Sequence, residues 1–94
     1  MAADLDEKTS RYEALLAEAL ESAEPTPAEG TPLASAATEF ADMARSYLED
    51  GRHFAAEDDR VNALAAYSYG HAWLDAGARL GLFEVPDGDG PFAV

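Results

Sequence analysis

Residues 61–82 read VNALAAYSYGHAWLDAGARLGL and carry only two formal charges, Asp75 and Arg79, which cancel. The net charge of −13 therefore lies wholly outside this stretch. A near-neutral segment rich in Ala, Gly and aromatics, set in an acidic chain, is predicted to be a central, buried helix. The other segments must be arranged around it. On a helical wheel Tyr69, Trp73, Leu80 and Ala66 fall on one side, and Tyr67, Leu74 and Ala78 on another. A helix that is apolar on two faces is expected to be covered from two sides.

Two further helices can supply the covers. Helix 1 is predicted over residues 4–23, capped by Asp4 or Asp6, with Leu5, Tyr12, Leu15, Leu16, Ala19 and Leu20 as its apolar stripe. Pro25, Pro27 and Gly30 then impose a linker over 24–30. Within it, Thr26-Pro27-Ala28-Glu29 has the capping-box pattern and could hold one helical turn. This linker is the expected mobile region. Helix 2 is predicted over 31–56, with Thr31 as N-cap and Pro32 in the first position. Its apolar set is Leu33, Ala37, Phe40, Met43, Ala44, Tyr47, Leu48 and Phe54. Gly51 lies inside that pattern, which predicts a kink or a closely packed neighbour. Glu57-Asp58-Asp59 supplies a short turn and the cap of helix 3, predicted over 59–82, so helices 2 and 3 must be antiparallel neighbours. Pro86 and the glycines beyond it make 83–94 an irregular tail, with Phe83, Val85, Phe92 and Val94 available to lie on the bundle. The expected fold is all-α: one domain over 1–94, a three-helix antiparallel bundle with a long helix 2–helix 3 hairpin and an irregular C-terminal tail.

Composition narrows the function classes. Ninety-four residues suit one domain, and the chain has no cysteine, so disulfides, thiolate zinc sites and thiol nucleophiles are excluded. Nineteen acidic residues face six basic ones, of which only Lys8 is a lysine. Such a surface repels nucleic acid and anionic lipid. It suits molar salt, where the Debye length is about 3 Å and self-repulsion is screened. The N-terminus has neither the basic nor the apolar region of a signal peptide, and no apolar run approaches the length of a membrane span. A soluble, cytoplasmic, halophilic protein is expected, with no nucleic acid or membrane partner.

Three groupings are candidate sites. Ser68, His71, Asp75 and Arg79 share one stripe of helix 3, where a histidine oriented by a carboxylate is the arrangement of a general base. The competing reading is a solvent-facing side with an i,i+4 ion pair, and no nucleophile or second carboxylate stands beside it. No catalytic residue is assigned. The acids Glu49-Asp50 and Glu57-Asp58-Asp59 point to different sides and read as solvated surface. Asp87-Gly88-Asp89-Gly90 lacks the glutamate of a calcium loop, so neither a metal nor a cofactor is expected. Asn62, Tyr67, Tyr69 and Trp73 form the third grouping, a candidate interface, although aromatics at this spacing also serve as core.

The run DRVNALAAYSYGHAWLDAGARLGL from Asp59 to Leu82, preceded by ADMARSYLED from Ala41 to Asp50, resembles the archaeal DUF357 family, whose members have no known function. The resemblance covers about residues 40–82. It is most specific at Asn62-Ala63-Leu64 and at Trp73-Leu74-Asp75-Ala76-Gly77. It implies a three-helix bundle from an archaeal cytoplasm, in a haloarchaeal version given the acidic surface and the proline-rich linker. It also implies an accessory role and transfers no catalytic residue.

The favoured function is a non-enzymatic module that binds another protein or itself, a homodimer included. The alternative is a small enzyme or ligand-binding domain that uses the polar stripe of helix 3, with Asn62 near its start. A pocket beside that stripe would favour the alternative.

Overall fold

The structure, a computed structural model, describes residues 4–84. Among the described residues the helices are α1 (Leu5–Ser22), α2 (Pro32–Ala56) and α3 (Arg60–Arg79), and there are two short strands, β1 (Glu24–Pro25) and β2 (Phe83–Glu84). Each helix begins on a side-chain cap. The Asp4 carboxylate accepts from the Glu7 amide, the Thr31 hydroxyl from the Ala34 amide, and the Asp59 carboxylate from the Asn62 amide. Pro32 opens α2, where its missing N–H costs nothing.

The chain runs up, down and up. Asp6 meets Arg60 at one end, and Leu16 approaches Gly70 midway, so α1 and α3 are parallel and α2 opposes both. The α2–α3 turn is tight because Asp58 takes a left-handed conformation, φ 64°. It lets the Asp59 amide reach back to the Phe54 carbonyl at 2.9 Å and the Asp58 amide to Ala55 at 3.1 Å. Arg60 clips this turn to α1 by pairing with both Asp58 and Asp6. Asp58, then Asp6, raises the Arg60 pKa further above its already high value, so the guanidinium is a fixed cation.

α3 ends at Arg79, short of the expected 81–82. The reason is Gly81, at φ 80°. The Leu82 amide returns to the Gly77 carbonyl at 2.8 Å and the Gly81 amide to Ala78 at 3.0 Å, closing the helix with two bonds. Leu82 and Phe83 are thereby turned back into the core. No atom would obstruct a Cβ at Gly81, so Gly81→Ala is a test of conformation alone. It should lower the unfolding free energy by about 1 kcal/mol, read by urea denaturation.

The linker also differs from expectation. Thr26 to Glu29 makes no helical turn. Instead β1 pairs antiparallel with β2, Glu24 opposite Glu84 and Pro25 opposite Phe83. The Thr26 amide donates to the Leu82 carbonyl at 3.0 Å, and its hydroxyl donates to the Gly81 carbonyl. The expected tail residues Val85, Phe92 and Val94, and the stretch Asp87–Gly90, lie outside the described residues.

The core comprises Leu16 and Ala19 of α1, Ala37, Ala44 and Leu48 of α2, Ala63, Ala66, Tyr67 and Leu74 of α3, and Leu82 and Phe83 beyond it. Alanines and glycines let the helices approach closely, and Tyr67 fills the space that they leave. The Tyr67 ring lies directly over Gly51, which is why α2 carries a glycine inside a long helix. No helix among the described residues is long and apolar enough to cross a membrane.

The two-sided cover expected for α3 is only half present. α1 and α2 enclose the side that bears Tyr67 and Leu74. On the other side Ala66 is buried and Trp73 packs against the core, whereas Tyr69 remains 63% exposed and Leu80 70% exposed. Three helices close around one shared axis, so each buries one broad stripe. Residues more than about 100° from the centre of that stripe fall outside it.

Candidate functional site

Tyr67 and Tyr69 are two residues apart, which on a helix is about 200°. The separation sends one ring into the core and the other to the surface. Tyr67 is 1% exposed and is thus a core residue, not part of an available interface. Burial raises the pKa of its hydroxyl; the charge of Glu13 adds to that rise and Arg52 opposes it. Glu13 and Arg52 bridge α1 to α2 at 2.7 Å, an exposed pair worth at most about 1 kcal/mol. A phenol whose pKa is higher in the folded state keeps its proton there while the unfolded chain loses it. Its contribution is therefore complete below the unfolded value, about pH 10, and is lost as the pH rises through the folded value. Stability should fall above about pH 10, and Tyr67→Phe should flatten that limb in a melting series taken from pH 8 to pH 11.

Asn62, Tyr69 and Trp73 do share the outer side of α3. Asn62 is tied up locally, since its side-chain amide donates to the Asp59 carboxylate at 2.7 Å and so reinforces the helix cap. Tyr69 stacks on Tyr47 of α2, with centroids 5.6 Å apart and planes 22° from parallel. One turn further along, Trp73 meets Phe40 edge to face, with centroids 5.0 Å apart and an 86° angle. The two aromatic pairs thus span the hairpin from α2 to α3 on the side away from α1.

Beside the Phe40–Trp73 corner lies a groove of about 500 Å³, lined by Glu39, Phe40, Asp42, Met43 and Trp73. Its floor is aromatic and thioether, and its rim carries two carboxylates. Phe40, Met43 and Tyr47 belong to the apolar set expected for helix 2. The spacing held the signal that separates them. Positions 37, 44, 48 and 51 form one stripe, which is buried, whereas 40, 43 and 47 form a second stripe beside it. A helix with two apolar stripes and only one packed side must show one to its surroundings.

Ser68, His71, Asp75 and Arg79 occupy a different side of α3. Ser68 and Arg79 are exposed, and His71 and Asp75 are half-buried. The Arg79 Nε donates to the Asp75 Oδ2 at 3.1 Å, an i,i+4 pair within one helix. The carboxylate is thus engaged by arginine. Neither the Phe40–Trp73 groove nor the second groove, of about 400 Å³ between α1 and α2, is lined by any of the four. Among the described residues no group of three or more His, Cys, Asp or Glu side chains is placed to hold a metal ion.

No curated protein and no solved structure matches the chain. A family model does match, and it reaches back beyond residue 40 to take in most of α1 as well as the hairpin. With residues 11–83 matched, the chain belongs to the family described as Protein of unknown function (DUF357).

Proposed function

We propose that this protein is a non-enzymatic helical interaction module whose contact surface is the outer face of the α2–α3 hairpin. The observation that carries this reading is the aromatic band Phe40–Trp73 and Tyr47–Tyr69, joined by Met43, which is 38% exposed, on an otherwise acidic chain. Aromatic and methionine side chains are the types enriched in interface centres, and contiguous apolar surface on a small domain marks a site of association. The band lies on rigid helices rather than loops, so a partner would dock without first ordering it.

A photo-crosslinking side chain at Tyr69, compared with one at Ser68, which is exposed on a different side of the same helix, tests this in the native host. A discrete adduct from position 69 and none from 68 is expected, whether to another protein or to a second copy. Equal labelling from both positions, or none from 69, would sink the reading.

The cellular setting belongs to the same proposal: the cytoplasm of a salt-loving archaeon. The support is nineteen acids, a single lysine and a net charge of −13 in 94 residues. Removing salt lengthens the Debye length from about 3 Å at 1 M to about 10 Å at 0.1 M, which brings these charges into mutual repulsion. The melting temperature should fall by at least about 4–8 °C over that range, equivalent to about 1 kcal/mol at this chain length. A melting temperature that stays constant across the range would remove the halophilic setting.

A further inference from the structure

The groove beside Trp73 has a chemistry more specific than that of a general apolar patch. Two rings at 86° form a corner, Met43 completes the floor, and Glu39 and Asp42 stand at the rim. No basic residue lines it. Aromatic faces carry negative charge density, so a cation held against them is attracted, and carboxylates beside them reinforce the preference. Asp42 is partly answered by Arg45 at 3.0 Å, whereas Glu39 has no ion pair among the described residues.

We infer that this corner is an arginine-binding site, and that the partner docking on the hairpin is a basic, amphipathic segment of another protein that inserts a guanidinium between Phe40, Trp73 and the Glu39 carboxylate. The inference rests on the interaction reading above and adds the partner's chemistry to it. Arginine fits better than lysine because its planar, weakly hydrated group stacks on rings and reaches a carboxylate with two donors at once. The net charge of −13 favours a basic partner over a second copy of this acidic chain. The contact is also short-range and partly desolvated, so molar salt, which abolishes long-range steering, leaves much of it in place.

Trp73 is the only tryptophan of the chain, so its fluorescence reports on the corner directly. The full-length protein, kept in molar salt, is titrated with a helical peptide built of leucines and arginines. Matched peptides carry glutamine or lysine in place of arginine. The arginine peptide should shift the Trp73 emission and bind about tenfold more tightly than the glutamine peptide, with lysine between them. Glu39→Gln, an exposed and conservative change, should remove about half of that selectivity on a logarithmic scale. Met43→Lys, which places a cation in the groove, should abolish binding of the arginine peptide while leaving the melting temperature close to wild type.

Equal binding of the arginine and glutamine peptides would overturn the arginine site yet leave the hairpin face as an apolar interface. A concentration-dependent dimer in light scattering, lost in Tyr69→Glu, would overturn the basic partner in favour of self-association. No response of Trp73 to any peptide, while position 69 still crosslinks to a partner, would place the contact elsewhere on the face and overturn the proposal. Failure of the crosslink itself is the separate result that removes the interaction reading.

Discussion

Replacing Tyr67 by alanine should cost about 3–5 kcal/mol, a large part of the about 5–15 kcal/mol that holds a domain of this size together. Tyr67 is 1% exposed and is the largest fully buried side chain among the described residues. The buried cluster that it belongs to includes four alanines, Ala19, Ala37, Ala44 and Ala63, and Gly51 lies against the ring, and these have no side-chain length with which to collapse into a cavity. The loss should therefore sit toward the upper end of that range. The partner of the ring is Gly51. A Cβ built there would lie 2.5 Å from the ring's Cδ1 and 2.9 Å from its Cζ. Gly51→Ala consequently sets two opposing terms against each other: relief of an interior helical glycine, about 1 kcal/mol, and overpacking of a locked ring, about 1–3 kcal/mol. In the wild-type background the second term should win or equal the first, and the variant should be neutral to destabilising by about 2 kcal/mol. In the Tyr67→Ala background the obstruction is gone, so Gly51→Ala should stabilise by about 1 kcal/mol. Urea unfolding of the four proteins closes the cycle. An effect of Gly51→Ala with the same sign and size in both backgrounds would break the link between the glycine and the ring.

That pair also marks how far local sequence chemistry reaches. The helix starts at Asp4, Thr31 and Asp59 are legible because capping is decided by a few neighbouring atoms. The antiparallel hairpin follows from the shortness of the turn at Glu57-Asp58-Asp59. Gly51 signals either a kink or a close neighbour, and the structure gives the neighbour as Tyr67. What the pattern does not contain is the choice between apolar stripes. Tyr67 and Tyr69 are the same residue type on the same helix, and only the positions of α1 and α2 send one inward. Phe40, Met43 and Tyr47 are as apolar as Leu48, yet they face the groove side because the third helix packs on the opposite side of the hairpin. The polar stripe Ser68-His71-Asp75-Arg79 is legible as an ordered row of side chains. Its purpose is not, since an i,i+4 ion pair on an exposed face and a catalytic row share one spacing. The groove beside Trp73 needs residues from two helices thirty-odd positions apart, and no local spacing announces it.

The second large effect is expected outside the helices. Phe83→Ala should lower stability by about 3–5 kcal/mol, whereas Leu80→Ala, three residues earlier and equally apolar in sequence, should cost less than about 0.5 kcal/mol. Gly81 creates the difference. Its left-handed turn leaves Leu80 70% exposed on one side and returns Phe83 to the core at 4% exposed on the other. The Phe83 ring rests on Gly77, where a Cβ would come within 2.8 Å of its Cδ2 and 3.3 Å of the Phe40 Cδ2. Phe40 in turn carries the edge-to-face contact with Trp73. Removing the Phe83 ring should thus be felt in two places: in global stability, and in the floor of the groove, where Phe40 loses its support. The loss of about 3–5 kcal/mol corresponds to a melting temperature lower by at least about 12 °C at this chain length. The emission of Trp73 in the folded variant should also shift to longer wavelength as water gains access to the corner. Leu80→Ala should leave both signals where they are. Equal stability losses for the two variants would mean that the chain beyond α3 does not fold back as described. A destabilised Phe83→Ala protein with unchanged Trp73 emission would instead uncouple the groove from the core beneath it.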